Sequence, residues 1–199
     1  MRELTVAILA GGKSARMGSD KARACLLGRP LLEHVVARLH GLGREIILIT
    51  NTPNDHAHLG LPMFGDILPG KGPLGGIYTA VSYAAGQPVL VVAGDMPFLN
   101  RDLLRYMIDL TPGFDVVVPR LCGRPEGLHA IYGKGCLDPI RARLERDRLK
   151  VIGFYDNVRV RYVDEAEIDR FDPDHRSFFN INTPADLKAA RRMAESDGL

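Results

Sequence analysis

An apolar run that ends in a basic, glycine-rich loop is the feature that most constrains the fold of this chain. Residues 6–10 (Val-Ala-Ile-Leu-Ala) form the run, and residues 11–21 hold three glycines together with Lys13, Arg16 and Lys21. Such a run is typical of the first strand of a parallel sheet. Glycines directly after it let backbone N–H groups approach a ligand. The sequence therefore predicts a phosphate-binding loop at the strand's carboxyl end, where open α/β sheets bind ligands.

The spacing of these glycines excludes two well-known phosphate-binding loops. A Walker A loop requires a glycine five residues before Gly12, and Ala7 stands there. A Rossmann fingerprint requires Gly-x-Gly-x-x-Gly, a spacing that this segment lacks. A surface turn would explain Gly11 and Gly12, but it would not explain the spaced basic residues. We therefore expect the loop to bind an anionic small molecule.

The composition is that of an ordinary globular protein. The 199 residues suit one domain over residues 1–199, and 46% hydrophobic with 25% charged residues is an average content. A net charge of +2 gives no indication of nucleic acid or a membrane as a partner. Three scattered cysteines favour a reducing compartment. The sequence shows no secretory leader or membrane-spanning run, so we expect a cytoplasmic location.

Strand and helix patterns alternate along the chain. Strands are predicted at residues 4–10, 46–49, 89–93, 116–118, 128–132 and 158–163, with a short strand ending near residue 64. Helices are predicted at residues 30–40, 74–85, 101–110 behind an Asn100 cap, 134–150, and from Pro184 onward. This alternation predicts a single three-layer α/β/α domain with a mainly parallel, Rossmann-like sheet.

A carboxylate follows the apolar run at residues 89–93. Asp95 stands at the end of that run, and Pro97 then turns the chain away. Because the carboxyl ends of parallel strands share one edge of a sheet, Asp95 is expected beside the glycine-rich loop. Mg²⁺ bound to a nucleotide takes one or two carboxylates plus phosphate oxygens and water, a role that Asp95 can fill. Capping of the following turn is the alternative role for this residue.

Four segments carry a resemblance to a known family. They are LAGGKSARMGSDK (residues 9–21), GPLGGI (72–77), GDMPFL (94–99) and FFNINTPADL (178–187). In this order, and over nearly the whole chain, they resemble the molybdenum cofactor guanylyltransferases, which transfer GMP from GTP to molybdopterin with release of pyrophosphate. The first segment is shared by many nucleotidyltransferases of the same fold. The Gly11-Gly12 pair favours the guanylyl branch over its cytidylyl relatives.

The resemblance implies roles for residues near the predicted strand ends. Lys21, Arg16 and Asp95 are the expected catalytic residues, with Asp95 also the ligand of Mg²⁺. Asn51 and Asp66 fall near positions that recognise guanosine, and each has a plain alternative as a turn residue. The implied nucleotide-binding set is Leu9, Ala10, Gly11, Gly12, Lys13, Lys21, Asn51, Asp66 and Asp95.

The segment at residues 178–187 is expected to bind the second substrate. Thr183, Pro184 and Asp186 are explained by a helix start. Asn180 and Asn182 are not, and on a short strand both would lie on one face, with Ile181 in the core. Two amides before a helix N-terminus can donate hydrogen bonds to the phosphate of molybdopterin or to its polar pterin.

Two alternatives to this function remain open at the level of the sequence. The first is a nucleotidyltransferase for another phosphate acceptor, through cytidylyl transfer to molybdopterin or through a sugar phosphate. The second is a nucleotide-sensing protein without turnover, which the intact Lys21 and Asp95 disfavour. Besides GTP and molybdopterin, the implied partners are proteins that carry the cofactor or accept it.

Overall fold

The apolar runs of the sequence form a central sheet flanked by helices. A computed structural model describes residues 3–11 and 25–196. The strands are β1 (Thr5–Leu9), β2 (Cys25–Leu26), β3 (Arg29–Pro30), β4 (Glu45–Ile49), β5 (Met63–Phe64), β6 (Val89–Ala93), β7 (Val116–Leu121), β8 (Arg124–Pro125), β9 (His129–Tyr132) and β10 (Val160–Asp164). The helices are α1 (Leu31–Leu39), α2 (Gly72–Tyr83), α3 (Arg101–Asp109), α4 (Leu137–Leu144), α5 (Glu165–Ile168) and α6 (Pro184–Ser196).

The main sheet is mixed, with parallel pairing at its centre. Across the described residues its strand order is β10-β7-β9-β6-β1-β4-β5, and β8 pairs with β7 alone. The pairs β6/β1, β1/β4, β4/β5 and β10/β7 are parallel. Strand β9 runs antiparallel to both of its neighbours, β6 and β7. As a result, the amino end of β9 lies at the same sheet edge as the carboxyl end of β6.

Helices cover both faces of the sheet because the strands are apolar on both sides. On one face, α1 and α3 pack against the side chains of Val6, Ile8, Leu90 and Val92. On the other face, α2 and α4 pack against Ala7, Val89 and Val91. Strands of a sheet that is covered on both faces form continuous hydrophobic runs, as these strands do. The predicted three-layer α/β architecture with a mostly parallel sheet is thus confirmed.

Local signals set several of the helix ends. Asn100 caps α3 as predicted, with its side-chain oxygen accepting hydrogen bonds from the N–H groups of Asp102 and Leu103, both at 3.0 Å. The helix predicted over residues 134–150 is shorter, since α4 ends at Leu144. The chain beyond it turns through Asp147, whose φ of 54° lies in the left-handed region and cannot continue a helix. The strand predicted at residues 158–163 forms as β10, at one edge of the sheet.

A smaller apolar cluster joins the C-terminal helix to the region after Asp95. Leu26, Leu31, Phe98 and Ile181 pack with two alanines of α6. This cluster fixes the segment that precedes α6 against the chain that follows β6. No helix in residues 3–11 and 25–196 is long and apolar enough to cross a membrane.

A charged network ties α5 to β10 and α3. The carboxylate of Glu167 accepts hydrogen bonds from the Tyr106 hydroxyl at 2.5 Å and from the Arg161 guanidinium at 2.5 Å. It also accepts one from the Asp164 N–H at 3.1 Å, which completes a capping box for α5. Burial by itself would raise the pKa of Glu167, but these donors outweigh it and hold the pKa at about 2.

Replacing Glu167 with Gln is expected to lower the free energy of unfolding by about 2 kcal/mol near neutral pH, the scale for losing charge-assisted hydrogen bonds. Because the folded-state pKa lies below the ordinary value of 4.5, the stabilisation is full above that pH and is lost as the pH falls toward 2. Urea unfolding at about pH 6 and about pH 2.5 should therefore show a difference between wild type and variant that shrinks in acid. A difference that does not change with pH would contradict this. Glu195→Gln, at an exposed position on α6, is the matched control.

Candidate active site

Three neighbouring parallel strands end at the same level. Leu9 of β1 is in register with Ile49 of β4 and with Ala93 of β6. The hydrogen bonding continues one residue further, from Ala10 N–H to the Ile49 carbonyl at 2.9 Å and from Gly94 N–H to the Leu9 carbonyl at 3.0 Å. The segments that begin at Ala10, Thr50 and Gly94 therefore leave the sheet side by side.

Asp95 follows the end of β6, next to the start of the glycine-rich loop. A side chain at Gly94 would bring its Cβ within 3.2 Å of Leu32 and 3.3 Å of the Leu9 carbonyl oxygen, so only glycine fits there without movement. Asp95 itself is half-buried, and its backbone carbonyl accepts a hydrogen bond from the Ile181 N–H at 3.0 Å. The chain at the end of β6 is thus hydrogen-bonded both to β1 and to the segment before α6.

The donor set at this edge fits a metal that binds together with a nucleotide. Across the described residues, no three His, Cys, Asp or Glu side chains cluster to hold a metal by themselves. Mg²⁺ in nucleotide sites needs only one or two carboxylates, because phosphate oxygens and water complete its shell. Asp95 is one such carboxylate, at the edge where the glycine-rich loop begins.

Asn51 and Asp66 form a reciprocal pair on the outer side of this edge. Asn51 Nδ2 donates to Asp66 Oδ2 at 2.9 Å, and the Asp66 N–H donates to Asn51 Oδ1 at 2.9 Å. Each residue follows the end of a strand, Asn51 after β4 and Asp66 after β5. The second carboxylate oxygen, Oδ1, has no hydrogen bond to the described residues. The pair therefore holds the Asp66 carboxylate in one orientation, and its Oδ1 is available to accept hydrogen bonds from a ligand.

The loop that opens α2 lies directly against β1. A Cβ at Gly76 would meet the Leu9 side chain at 3.2 Å, so the backbone of α2 approaches this strand closely. Lys71, at the start of the loop, forms an ion pair with Asp147 at 2.6 Å. This pair ties the loop to the turn after α4. Gly75 and Gly76 are buried where α2 packs on Leu9.

The segment before α6 differs from the predicted strand. Residues 179–182 have irregular backbone, because the Ile181 N–H bonds to the Asp95 carbonyl instead of joining a ladder. Ile181 is buried as expected, whereas Asn180 is half-buried and Asn182 exposed. Asn180 Nδ2 donates to the Phe178 carbonyl at 3.3 Å.

The helix start at Thr183 forms as predicted. Asp186 Oδ2 accepts hydrogen bonds from the N–H groups of Asn182 and Thr183 at 2.9 and 2.8 Å, and Thr183 Oγ1 accepts one from the Asp186 N–H at 3.1 Å. The bond from the Asn182 N–H is the largest cause that lowers the pKa of Asp186. The backbone of Asn182 thus belongs to the helix cap.

His129 is unsuited to proton transfer. Its side chain is fully buried at the amino end of β9 and lies against Phe178, with ring centroids 4.7 Å apart. Burial lowers the pKa of His129 to about 4, so the imidazole is neutral near pH 7. Its ring instead holds the Phe178 segment against the sheet.

The structure brings together most of the predicted site residues that it describes. The ends of β1 and β6 carry four of them, Leu9, Ala10, Gly11 and Asp95. On the side of β4 and β5 are Asn51 and Asp66, and on the opposite side are Asn180 and Asn182. Gly12, Lys13, Arg16 and Lys21 lie outside the described residues. The sequence analysis missed the bond between Asn51 and Asp66, although both follow neighbouring strands of a parallel sheet. It also missed the Lys71–Asp147 pair, for which residues 76 positions apart give no local signal.

Comparison with known proteins first defines the class. Residues 6–158 match a family model described as the MobA-like NTP transferase domain. A solved structure of CMP:2-keto-3-deoxy-manno-octonic acid synthetase in complex with CTP, 12% identical, superposes with a TM-score of 0.71 over 98% of this chain and 99% of that chain. At that identity the likeness concerns the fold alone, which is that of a nucleotidyltransferase.

The chain belongs to the MobA-like NTP transferase family. It is 41% identical over 196 residues to the probable molybdenum cofactor guanylyltransferase of Pelotomaculum thermopropionicum, covering 98% of this chain and 96% of that protein. The molybdenum cofactor guanylyltransferase of Desulfosudis oleivorans is 32% identical over 192 residues, with 96% and 95% covered. The crystal structure of molybdopterin-guanine dinucleotide biosynthesis protein A from Archaeoglobus fulgidus, 27% identical, superposes with a TM-score of 0.84 over 96% of this chain and 99% of that one. The resemblance drawn from the four sequence segments is confirmed.

The reciprocal geometry of Asn51 and Asp66 gives a prediction about their coupling. Asn51→Ala and Asp66→Ala should each lower the free energy of unfolding by about 1 kcal/mol or less, because the pair lies near the surface. The double variant should cost little more than Asn51→Ala alone, because Asn51→Ala removes both bonds whereas Asp66→Ala removes only the bond between the two side chains. Urea unfolding of the three variants measures this coupling. Strictly additive effects would show that the bond between the two side chains contributes nothing to the fold.

Proposed function

We propose that this chain transfers the GMP group of GTP to the phosphate of molybdopterin and releases pyrophosphate, in a reaction that requires Mg²⁺. The observation that carries the proposal is that β4, β1 and β6 end at the same level, so that Asn51, the start of the glycine-rich loop at Ala10 and Gly11, and Asp95 follow neighbouring strand ends in a chain of this family. Relatives named as guanylyltransferases over nearly their whole length support the choice of donor and acceptor.

The guanine is assigned to the side of Asn51 and Asp66. Guanine presents two adjacent donors, N1–H and the 2-amino group, and a carboxylate accepts from both. Asn51 orients Asp66 through two hydrogen bonds of 2.9 Å. We place the planar base beside the exposed glycines at residues 70 and 72, which come before the buried part of α2. Adenine and cytosine lack this donor pair, so they would leave Asp66 Oδ1 without these hydrogen bonds, which penalises them.

The transfer itself needs no general base. An oxygen of the molybdopterin phosphate attacks the α-phosphorus of GTP in line, a new P–O bond forms, and the bond to the β-phosphate oxygen breaks. The attacking phosphate is already ionised, so no proton has to be removed. The neutral, buried His129 agrees with this. Catalysis then consists of positioning and charge neutralisation.

The anionic groups are assigned to the loop after β1 and to Asp95. We assign the backbone N–H groups around Ala10 and Gly11, together with Gly12, Lys13 and Arg16, to the phosphates, and Lys21 to the transferred group. Asp95 would hold Mg²⁺. When bound, the metal supplies positive charge that neutralises phosphate oxygens.

The acceptor is assigned to the opposite side of Asp95. The bond from the Ile181 N–H to the Asp95 carbonyl fixes residues 180–182 beside the central strand end. Asn180 and Asn182 flank this bond and can donate amide hydrogens to the phosphate of molybdopterin.

We further propose that residues 1–199 act as one domain and that the protein works in the cytoplasm. The product is then delivered to a protein that carries or accepts the cofactor.

A nucleotide panel tests the proposed function. The purified protein is incubated with Mg²⁺, molybdopterin and either GTP, ATP or CTP, and pyrophosphate release and the dinucleotide product are measured. Turnover with GTP is expected, with ATP and CTP poorer by at least about a hundredfold, the scale on which polar base recognition discriminates. Preferred use of CTP would favour cytidylyl transfer. Turnover with a sugar phosphate in place of molybdopterin would assign another acceptor, and nucleotide binding without turnover would indicate a sensor.

Asp95→Asn is expected to abolish Mg²⁺-dependent turnover and to leave thermal stability nearly unchanged. The amide keeps the shape of the side chain but loses the charge that holds a hard cation. Activity is measured as Mg²⁺ is titrated, beside Asp138→Asn as the control. Asp138 is exposed at the start of α4, which follows the carboxyl end of the antiparallel β9 and so lies at the opposite sheet edge. An unaltered Mg²⁺ dependence in Asp95→Asn would show that Asp95 does not bind the metal and serves only as a turn residue.

A further inference from the structure

Glu126 is a half-buried carboxylate that the proposed reaction does not yet use. It lies in the connection between β8 and β9, and its side chain has no hydrogen bond or ion pair with any described residue. Burial raises the pKa of Glu126. A carboxylate that loses hydration without gaining a partner is destabilising. Its position therefore suits a ligand that supplies the missing donors.

Backbone contacts bring the connection that carries Glu126 to the sheet edge where Asp95 lies, although the Glu126 N–H itself donates to the Pro119 carbonyl of β7 at 2.9 Å. The N–H of Ala93, two residues before Asp95, donates to the carbonyl of Leu128, two residues after Glu126, at 3.0 Å. The antiparallel direction of β9 is what brings this connection to the edge where β6 ends.

A second set of contacts connects residues 178–182 to the start of β9 and to Asp95. The ring of His129 lies 4.7 Å from the ring of Phe178, and the Ile181 N–H bonds to the Asp95 carbonyl at 3.0 Å. Three segments thus meet beside the end of β6: Asp95, the start of β9 with Glu126, and residues 178–182. Asn51 and Asp66 lie on the other side, beyond β1, where they follow β4 and β5.

The two ends of the proposed product carry the same hydrogen-bonding edge. A pterin ring has a 2-amino group beside an N3–H, and guanine has a 2-amino group beside an N1–H. A carboxylate with two acceptor oxygens matches both edges. The chain places one carboxylate, Asp66, on the guanine side of Asp95, and one, Glu126, on the acceptor side.

From this arrangement we infer that Glu126 is the residue that selects the pterin ring of the acceptor, by accepting hydrogen bonds from its N3–H and 2-amino groups. The inference rests on the proposed function, because it assigns the second substrate of that reaction. It gives Glu126 a role in binding and none in the transfer of the phosphoryl group.

Steady-state kinetics with GTP and molybdopterin test this assignment in Glu126→Gln and Glu126→Ala. The expected result is a KM for molybdopterin raised by about tenfold or more, the scale of one unpaired buried polar contact. The KM for GTP should stay near the wild-type value, and the thermal unfolding temperature should stay the same or rise, because a half-buried carboxylate without a partner is removed. Glu195→Gln, the same chemical change at an exposed site, should alter neither. An unchanged KM for molybdopterin, or equal rises in both KM values, would overturn the inference.

A binding experiment separates failure of this inference from failure of the proposed function. If the wild type does not use molybdopterin, the proposed function fails, and the ring is then tested alone by fluorescence titration without GTP. The probes are 6-hydroxymethylpterin and 6-hydroxymethyllumazine, which has a carbonyl in place of the 2-amino group. Tighter binding of the pterin by about tenfold in the wild type, lost in Glu126→Gln, would support Glu126 as the selecting residue. Equal binding of the two probes, or no binding, would overturn it.

Discussion

The site depends on the register between β1 and its two parallel neighbours. The strands are buried on both faces, so a backbone polar group left without a partner there would be costly. The ladder continues past the strand ends through Ala10 with Ile49 and Gly94 with Leu9, at 2.9 and 3.0 Å. A shift by one residue would turn each strand's side chains to the wrong face and separate the segments that leave the sheet. Core packing therefore holds the site in alignment.

The reversal of one strand gives the site its second side. With parallel strands alone, the edge near Asp95 would continue into further carboxyl ends. Because β9 is antiparallel, its amino end and the connection with Glu126 lie at that edge instead. The fully buried His129 follows directly and packs on Phe178, which brings in the segment before α6. The two sides that we propose for the donor and the acceptor thus come from different halves of the chain, with Asp95 between them.

The amino-terminal half was the more predictable part. The apolar runs at β1, β4 and β6, the position of Asp95 and the Asn100 cap follow from local patterns, which the structure reproduces. The direction of β9 is less evident, since an apolar run is the same in either direction and only the short connection before it requires a hairpin. The irregular backbone at residues 179–182 depends on one bond to Asp95, and the Lys71–Asp147 pair joins distant segments. Neither has a periodicity to detect.

The two proposed carboxylate contacts cannot by themselves tell guanine from pterin, because both rings offer the same pair of donors. Discrimination then has to come from the surfaces around each carboxylate. On the Asp66 side, the glycine backbone of α2 packs against Leu9, and a Cβ at Gly76 would lie 3.2 Å from the leucine side chain. On the Glu126 side, the ring of His129 packs on Phe178 instead, with ring centroids 4.7 Å apart. If both carboxylates act as proposed, these different surroundings, and not the carboxylates, have to select the ring on each side of Asp95.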